Sequence, residues 1–405
     1  MNEKKKKKPS VMWYRIARVI ARVMSAVWFK RRIIKNELKG QKRPYVIIAN
    51  HQAALDFANL MGVTRHHIHF VISNSFFNTI PIRGLLDKAG MIPKQQFQTE
   101  LRDLKRMRAV IDEGGILALY PAGLMCEDGL STPIPVATYK FLQWLRADIY
   151  MAKTYGTYFA MPKWSKKKRP GRTLLEVYKL FDKDEIRDMS LDEIKERTDK
   201  ALLFDAYREQ EELKIKYRGA ENIEGLEKVL YICPHCKREH TMRVKNTDTI
   251  YCESCGFEER CDEYGFLHKI SEVGEEIRYV SDWSRLIYKL EDERIGDISE
   301  LEVTHSTKFQ MIDYEAKKFV EVGEGSVKLV KDHIYLTGTV KGEPLDLTVS
   351  CAPFASLPFS PGKYFEVQHG EEIYRCYIDN GDEVMKFINT VKILYERNIA
   401  SRELR

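Results

Sequence analysis

The chain has 405 residues, 44% hydrophobic and 31% charged, with a formal net charge of +7. That length exceeds one ordinary core and implies two or three domains, and the composition excludes a disordered or collagen-like chain. Residues 1–43 hold fifteen Lys or Arg against two Glu, a balance of +13 that leaves −6 for the rest, so the basic character belongs to the N-terminus and suits an anionic membrane surface or another polyanion.

Lys4 to Lys8 form a five-lysine run closed by Pro9. Trp13, Ile16, Ile20, Val23 and Val27 follow at spacings of three and four, and Arg15, Arg18 and Arg22 each stand two residues after one of the first three. Two residues are about 200° of helix, so residues 1–35 are expected to form a basic amphipathic helix whose arginines oppose its apolar stripe. Such a stripe lies in a membrane interface or packs on a protein core; Trp13 and Trp28 supply interfacial aromatics. No uninterrupted run of 18 apolar residues and no secretory cleavage site is found, so neither a spanning helix nor a signal peptide is expected.

Tyr45 to Ala49 is an apolar β-type run that ends at Asn50, with His51 next and Asp56 after four more residues. In open α/β sheets, sites lie outside the carboxyl ends of strands. A histidine there can take a proton, and a carboxylate about one helical turn on can fix its tautomer. By themselves the two residues favour an N-capping Asp beside a surface His, since such a spacing often arises by chance. The α/β alternation continues: strand His69–Ser73, helix Ile80–Ala89, a helix carrying Leu101, Leu104, Met107 and Ile111 ended by Gly114-Gly115, strand Ile116–Tyr120, helix Val136–Leu145, and strands Asp148–Lys153 and Thr173–Phe181. Within it lie Gly90-Met91-Ile92-Pro93-Lys94, Tyr120-Pro121-Ala122-Gly123, and Pro162 in the stretch Gly156 to Trp164.

Taken in order with N-H-x-x-x-x-D, these stretches resemble the four blocks of the lysophosphatidate (1-acyl-sn-glycerol-3-phosphate) acyltransferase family. The resemblance covers roughly Trp13 to Phe181. The third block departs from the family's Phe-Pro-Glu-Gly, with Ala122 in place of Glu.

Asp182 to about Tyr217 is charged and helical. Cys233-Pro-His-Cys236 and Cys252-Glu-Ser-Cys255 follow, fifteen residues apart. Each C-x-x-C presents two thiolates to one ion, and two on facing hairpins complete a tetrahedral site. Cys233, Cys236, Cys252 and Cys255 are therefore assigned to a structural zinc ribbon, with His235 and His240 as substitute ligands and a redox pair as the other use of such cysteines. The resemblance is then to a bacterial form of the family with an added ribbon. Cys126, Cys261, Cys351 and Cys376 read as buried thiols of a reducing compartment. Lys237, Arg238 and Arg243 are offset by Glu253, Glu258 and Glu259, so no nucleic-acid partner is expected. The remainder is β-rich, with strand candidates Lys318–Val322, Ser326–Val330, His333–Thr337, Leu345–Ser350, Tyr364–His369 and Ile373–Ile378. Gly323-Glu324-Gly325 reads as a hairpin turn, and a final helix bears Val384, Phe387, Ile388, Val391 and Leu394. In outline this resembles a pleckstrin-homology or GRAM-like module; a packing or dimerisation domain is the alternative.

The expected organisation is an N-terminal helix (1–35), an α/β acyltransferase domain with a mixed sheet flanked by helices (36–181), a helical connector (182–225), the ribbon (226–265) and a β-rich domain (266–405). The resemblance implies transfer of a fatty acyl group from acyl-CoA or acyl-ACP, the acyl carrier protein form, to the hydroxyl of a lysophospholipid. It makes His51 the general base and Asp56 its orienting partner, and puts substrate contacts at Asn50, Lys94, Gly123 and Lys163, with Lys94 where the family commonly has arginine. Lys166 to Arg169 and Arg172 stand beside Lys163 for headgroup or coenzyme A phosphates, and backbone N–H groups of Asn50 to Ala54 are candidate oxyanion donors. The protein is expected at the cytoplasmic face of the cell membrane. Ala122 keeps a second reading open, a catalytically impaired lipid-binding scaffold, with Glu127 and Asp128 as the carboxylates near enough in sequence to compensate.

Overall fold

An apolar run with every residue buried, Tyr45–Ala49, sits in the middle of a seven-stranded sheet in the computed structural model, which describes residues 10–96 and 100–403. The Lys4–Lys8 run lies outside the described residues. The strands are β1 (Arg32–Asn36), β2 (Tyr45–Ala49), β3 (Ile68–Ser73), β4 (Ile92–Lys94), β5 (Ile116–Leu119), β6 (Asp148–Tyr155) and β7 (Leu174–Phe181), in spatial order β1-β7-β6-β2-β5-β3-β4. Pairing is parallel from β6 through to β4, whereas β7 runs antiparallel to β6 and β1 follows β7. Five strands therefore point their carboxyl ends the same way. Central β2 and β5 are unbroken hydrophobic runs because both faces of the sheet are covered.

The sheet contains two strands that hydrophobic patterning does not reveal. Edge strand β1 reads Arg-Ile-Ile-Lys-Asn and is half exposed; edge strand β4 is three residues long and holds Pro93, which only an edge tolerates. The helix expected over Ile80–Ala89 is present as Arg83–Lys88, and a further helix precedes it. That one, Asn74–Thr79, is capped by the Ser73 hydroxyl, which accepts from Phe76 N (3.2 Å). They are separated because Ile80 precedes Pro81 and takes an extended conformation (ψ 133°).

The N-terminal helix, Val11–Met24, continues through a π-type turn, Ser25–Phe29. Its core-facing residues are Tyr14, Ala21 and Phe29. The stripe read from the sequence faces away, with Ile16, Ile20, Val23 and Val27 at 39%, 47%, 57% and 56% exposure. Among the described residues no helix is long and apolar enough to cross a membrane.

The chain divides into two compact units. The first comprises Met1–Met125, Val136–Thr157 and Pro170–Leu203; the second comprises Cys126–Pro135, Tyr158–Arg169 and Phe204–Arg405. The charged stretch after Phe181 is helical as its composition suggests. Helices Lys183–Asp188 and Leu191–Leu202 each begin with a reciprocal capping box, Asp182 with Glu185 and Ser190 with Glu193, and Ala206–Leu213 opens the last segment of the second unit.

In the second unit a four-stranded antiparallel sheet carries the cysteine knuckles: β8 (Met242–Lys245), β9 (Thr249–Cys252), β10 (Glu258–Cys261) and β11 (Leu267–Lys269), ordered β11-β10-β9-β8. Helix Val280–Ile295 buries Trp283, whose indole N–H donates to Ile232 O at 2.8 Å. The last sheet is antiparallel with seven strands: β12 (Glu302–Asp313), β13 (Lys318–Val330), β14 (His333–Val340), β15 (Glu343–Ser350), β16 (Phe359–Ser360), β17 (Tyr364–His369) and β18 (Glu372–Ile378), ordered β15-β14-β13-β12-β18-β17-β16. The final helix, Glu383–Glu403, buries Val384, Phe387, Ile388, Val391 and Leu394, and Phe387 stacks on Phe365 at 4.3 Å.

Gly323-Glu324-Gly325 corrects the sequence reading. It is not a turn but part of continuous strand β13, where Phe309 pairs with Gly323 and Gln310 with Glu321, so Val322 is the extra residue of a bulge. The glycines are needed because β14 approaches closely: a Cβ on Gly325 would meet Thr337 O at 2.0 Å.

Buried Glu259, on β10, accepts from Ile277 N (2.6 Å) through Oε1, while Oε2 has no partner among the described residues. Burial pushes its carboxyl up to about 8. The folded state then keeps a proton that the unfolded chain releases near pH 4.5, so this residue removes stability as pH rises from about 4.5 to about 8. Glu259→Gln keeps the acceptor and is expected to melt higher than wild type, the gap widening from pH 5 to pH 8 by up to roughly 4 kcal/mol. Denaturation at a series of pH values measures it.

Candidate functional site

The carboxyl ends of β2, β5 and β6 lie side by side, and the loops leaving them build the site. Asn50 closes β2 onto β6: its Nδ2 donates to Thr154 O and its Oδ1 accepts from Thr154 N, both at 2.8 Å. The amide thus continues the strand pairing by one rung and clamps the start of the loop to β6. The chain then turns sharply and His51 projects from the start of that turn. Its Nδ1 lies 3.0 Å from Asp56 Oδ2, and the same oxygen accepts from Gln52 N at 2.7 Å and Ala53 N at 2.8 Å. A carboxylate oxygen can only accept, so Nδ1 carries the hydrogen and Nε2 is left as a lone-pair base. Asp56 is enclosed, with 1% side-chain exposure, whereas the imidazole keeps 19%.

The Gln52 and Ala53 amides are directed at Asp56 and so do not serve as oxyanion donors. Gln52 is fully buried, and its Oε1 accepts from the Thr157 hydroxyl at 3.2 Å, a second tie between the His51 loop and the end of β6. Tyr120, the first residue after β5, lays its ring on the imidazole with centroids 4.2 Å apart and planes 24° apart. Burial, with Asp56 nearby, pushes its phenol far up. In the sequence Gln52 carries no signal and Tyr120 is marked only as the first residue of the third block; that β5 lies next to β2 is visible only in the sheet.

Gly123 closes a turn, its N–H donating to Tyr120 O at 2.9 Å and its carbonyl accepting from Gln96 Nε2 at 2.6 Å. Its φ of +71° calls for glycine, although a Cβ there would meet nothing within 4 Å. Lys94 ends β4 on the same sheet edge, three strands from β2, or about 14 Å of sheet. Its ammonium donates to Gln95 O at 2.8 Å; burial lowers its pKa, opposed by Asp103 and Glu100.

Lys163 belongs to the second unit. Its ammonium lies 3.3 Å from the Phe359 ring centroid; burial pulls its pKa down to about 8, and Glu127 opposes the shift. Glu127 pairs with Lys392, and Asp128 accepts from the Ser284 hydroxyl at 2.6 Å. Lys163 is thus half-buried beside an ion pair, and Glu127 and Asp128 each have a side-chain partner within the second unit. Arg169 is buried too, its guanidinium over the Trp164 ring at 4.7 Å and donating to Asn222 O, while Lys166, Lys167 and Lys168 are exposed.

The four cysteines of the two knuckles come together with all sulfurs within 4.8 Å, the only such cluster among the described residues. Cys233 Sγ is 3.6 Å from Cys255 Sγ, and Cys236 Sγ is 3.8 Å from Cys252 Sγ, with no disulfide. Zinc–sulfur bonds of about 2.3 Å in a tetrahedron require sulfur–sulfur edges of about 3.8 Å, so the spacing fits that ion. The knuckles match residue for residue. Cys233 O accepts from Lys237 N and Cys252 O from Gly256 N, each at 3.0 Å, and Lys237 and Gly256 both take left-handed φ, 60° and 77°. His240 lies outside the cluster, its Nε2 2.9 Å from Glu383 Oε1.

Residues 30–144 match the family model described as Acyltransferase. The match takes in the first three of the four blocks and a little over a quarter of the chain. No curated protein matches the sequence. Among solved structures, the 1-acyl-sn-glycerophosphate (LPA) acyltransferase PlsC from Thermotoga maritima is similar, at 17% identity, a TM-score of 0.42, and coverage of 50% of this chain and 79% of its own.

The purified protein is expected to hold one equivalent of zinc per chain by elemental mass spectrometry. Cys255→Ser should lose it and lower the melting temperature of the ribbon.

Proposed function

We propose that this acyltransferase domain moves a fatty acyl group from an acyl thioester, acyl-CoA or acyl-ACP, to the hydroxyl of a lysophospholipid, 1-acyl-glycerol-3-phosphate first among them, giving phosphatidate. One observation carries the reading: a partly exposed imidazole tied through Nδ1 to an enclosed carboxylate, at the carboxyl ends of parallel strands. A hydroxyl is a poor nucleophile unless its proton leaves as the new bond forms. His51 Nε2 takes that proton while the hydroxyl oxygen attacks the thioester carbonyl. Asp56 balances the imidazolium. The tetrahedral intermediate collapses by breaking the C–S bond, and the imidazolium returns its proton to the departing sulfur. The base-and-orienter arrangement is that of serine hydrolases with substrate in place of serine, so no acyl-enzyme is needed.

A lipid substrate calls for access to a membrane. The outward stripe Ile16, Ile20, Val23 and Val27, with Arg15 and Arg22 also exposed, supports peripheral docking of the N-terminal helix on an anionic bilayer. We place the protein on the cytoplasmic face of the cell membrane. The zinc ribbon is read as structural. The strand order β15-β14-β13-β12-β18-β17-β16, closed by a C-terminal helix, supports reading the last domain as pleckstrin-homology-like.

Ala122 favours a second reading, lysolipid binding without turnover; Ala122→Glu would then restore activity.

With labelled acyl thioester and a panel of lysophospholipids, His51→Ala is expected to lose acyl transfer by roughly 10³-fold or more while its circular dichroism stays native. Wild-type turnover in that variant rejects the mechanism; binding without turnover in the unmodified protein selects the scaffold. Ile20→Glu with Val23→Glu leaves Tyr14 and Ala21 in place and should release the protein from anionic liposomes in a sedimentation assay; unchanged co-sedimentation rejects the docking.

A further inference from the structure

We propose that Tyr120 is the positioning residue for His51, and that the Pro121-Ala122-Gly123 turn serves to hold it there. One hydrogen bond at Nδ1 fixes an edge of the imidazole and leaves its plane weakly defined. The Tyr120 ring, 4.2 Å away and 24° from parallel, supplies the plane. It also presents a π face to a ring that becomes cationic when it takes a proton, an interaction that grows as the reaction proceeds.

The placement is built from the backbone. Tyr120 is the first residue beyond β5, which pairs in register with β2: Ile48 faces Leu119, so the loops leaving both strands start side by side. The Tyr120 carbonyl is tied to Gly123 N, and the Gly123 carbonyl to Gln96. The Tyr120 hydroxyl is shielded and has no partner among the described residues; Asp56 Oδ1 is likewise shielded and unpartnered. With burial and Asp56 both opposing ionisation, the phenol stays neutral and acts as a flat wall. Ala122 has no part in this, so the turn keeps its use even where the family's carboxylate is missing.

The kinetic part of the test rests on the acyl-transfer reading; the spectroscopic part does not. Tyr120→Leu removes the ring, and Tyr120→Phe keeps it without the hydroxyl. With lysophosphatidate and acyl-CoA, Tyr120→Leu is expected to lower kcat at least tenfold with both KM values within twofold, and Tyr120→Phe to stay within threefold of wild type. In protein carrying ¹³C-labelled histidine, the His51 Hε1 signal, assigned with His51→Gln, should sit upfield from the phenol ring current in wild type and Tyr120→Phe and move downfield in Tyr120→Leu. Full kcat in Tyr120→Leu, a loss carried by KM, or an unmoved His51 signal overturns the proposal. Absence of turnover in wild type defeats the acyl-transfer reading alone, and the His51 signal then decides. Tyr120→Met takes the place of Tyr120→Leu should the latter fail to fold.

Discussion

A single carboxylate oxygen organises the loop that follows β2. Asp56 Oδ2 receives the His51 imidazole and the amides of Gln52 and Ala53, so backbone path and imidazole direction are set by one acceptor. An enclosed carboxylate is costly unless such donors surround it, and removing any one of them leaves a charge poorly paired. The loop cannot open without losing all three bonds together. Asn50 and Gln52 secure the same loop to the end of β6, so the imidazole is held between two neighbouring strands of a rigid sheet and not by a free surface loop.

Much of this is legible in the residues. The apolar run before Asn50 predicts a buried strand, and the interval from His51 to Asp56 puts the two side chains within reach across one turn. The paired C-x-x-C spacing foretells that four thiols can converge on one ion, and the four sulfurs do come together. What stays hidden depends on neighbours that sequence does not list. Tyr120 looks like the end of a strand until β5 is seen beside β2. Gly323-Glu324-Gly325 has turn composition, yet its glycines answer to the backbone of β14 lying against them. Short edge strands β1 and β4 lack periodicity because one side of each has no partner strand.

The lysine readings show the same limit from the electrostatic side. Lys163 follows a proline in a basic stretch, which in sequence reads as a solvated loop or a phosphate contact. In the fold its ammonium is enclosed by an aromatic ring and the Glu127–Lys392 pair, and loss of water, opposed by Glu127, sets its pKa. Burial decides what a charge does, and burial is a property of the assembled unit. Breaking one member of such a group leaves the others uncompensated, so the three act together structurally.

The chain passes between its two units five times. Cys126–Pro135 finds its partners far downstream, Gly129 with Ala206, Asp128 with Ser284 and Glu127 with Lys392. During synthesis the first 203 residues therefore leave the ribosome with two stretches whose packing surfaces have not yet been made. Domains otherwise tend to fold in the order they emerge. Here the earliest portion waits for the last helix before all of its chain is placed, and no single cut would release either half as an intact piece.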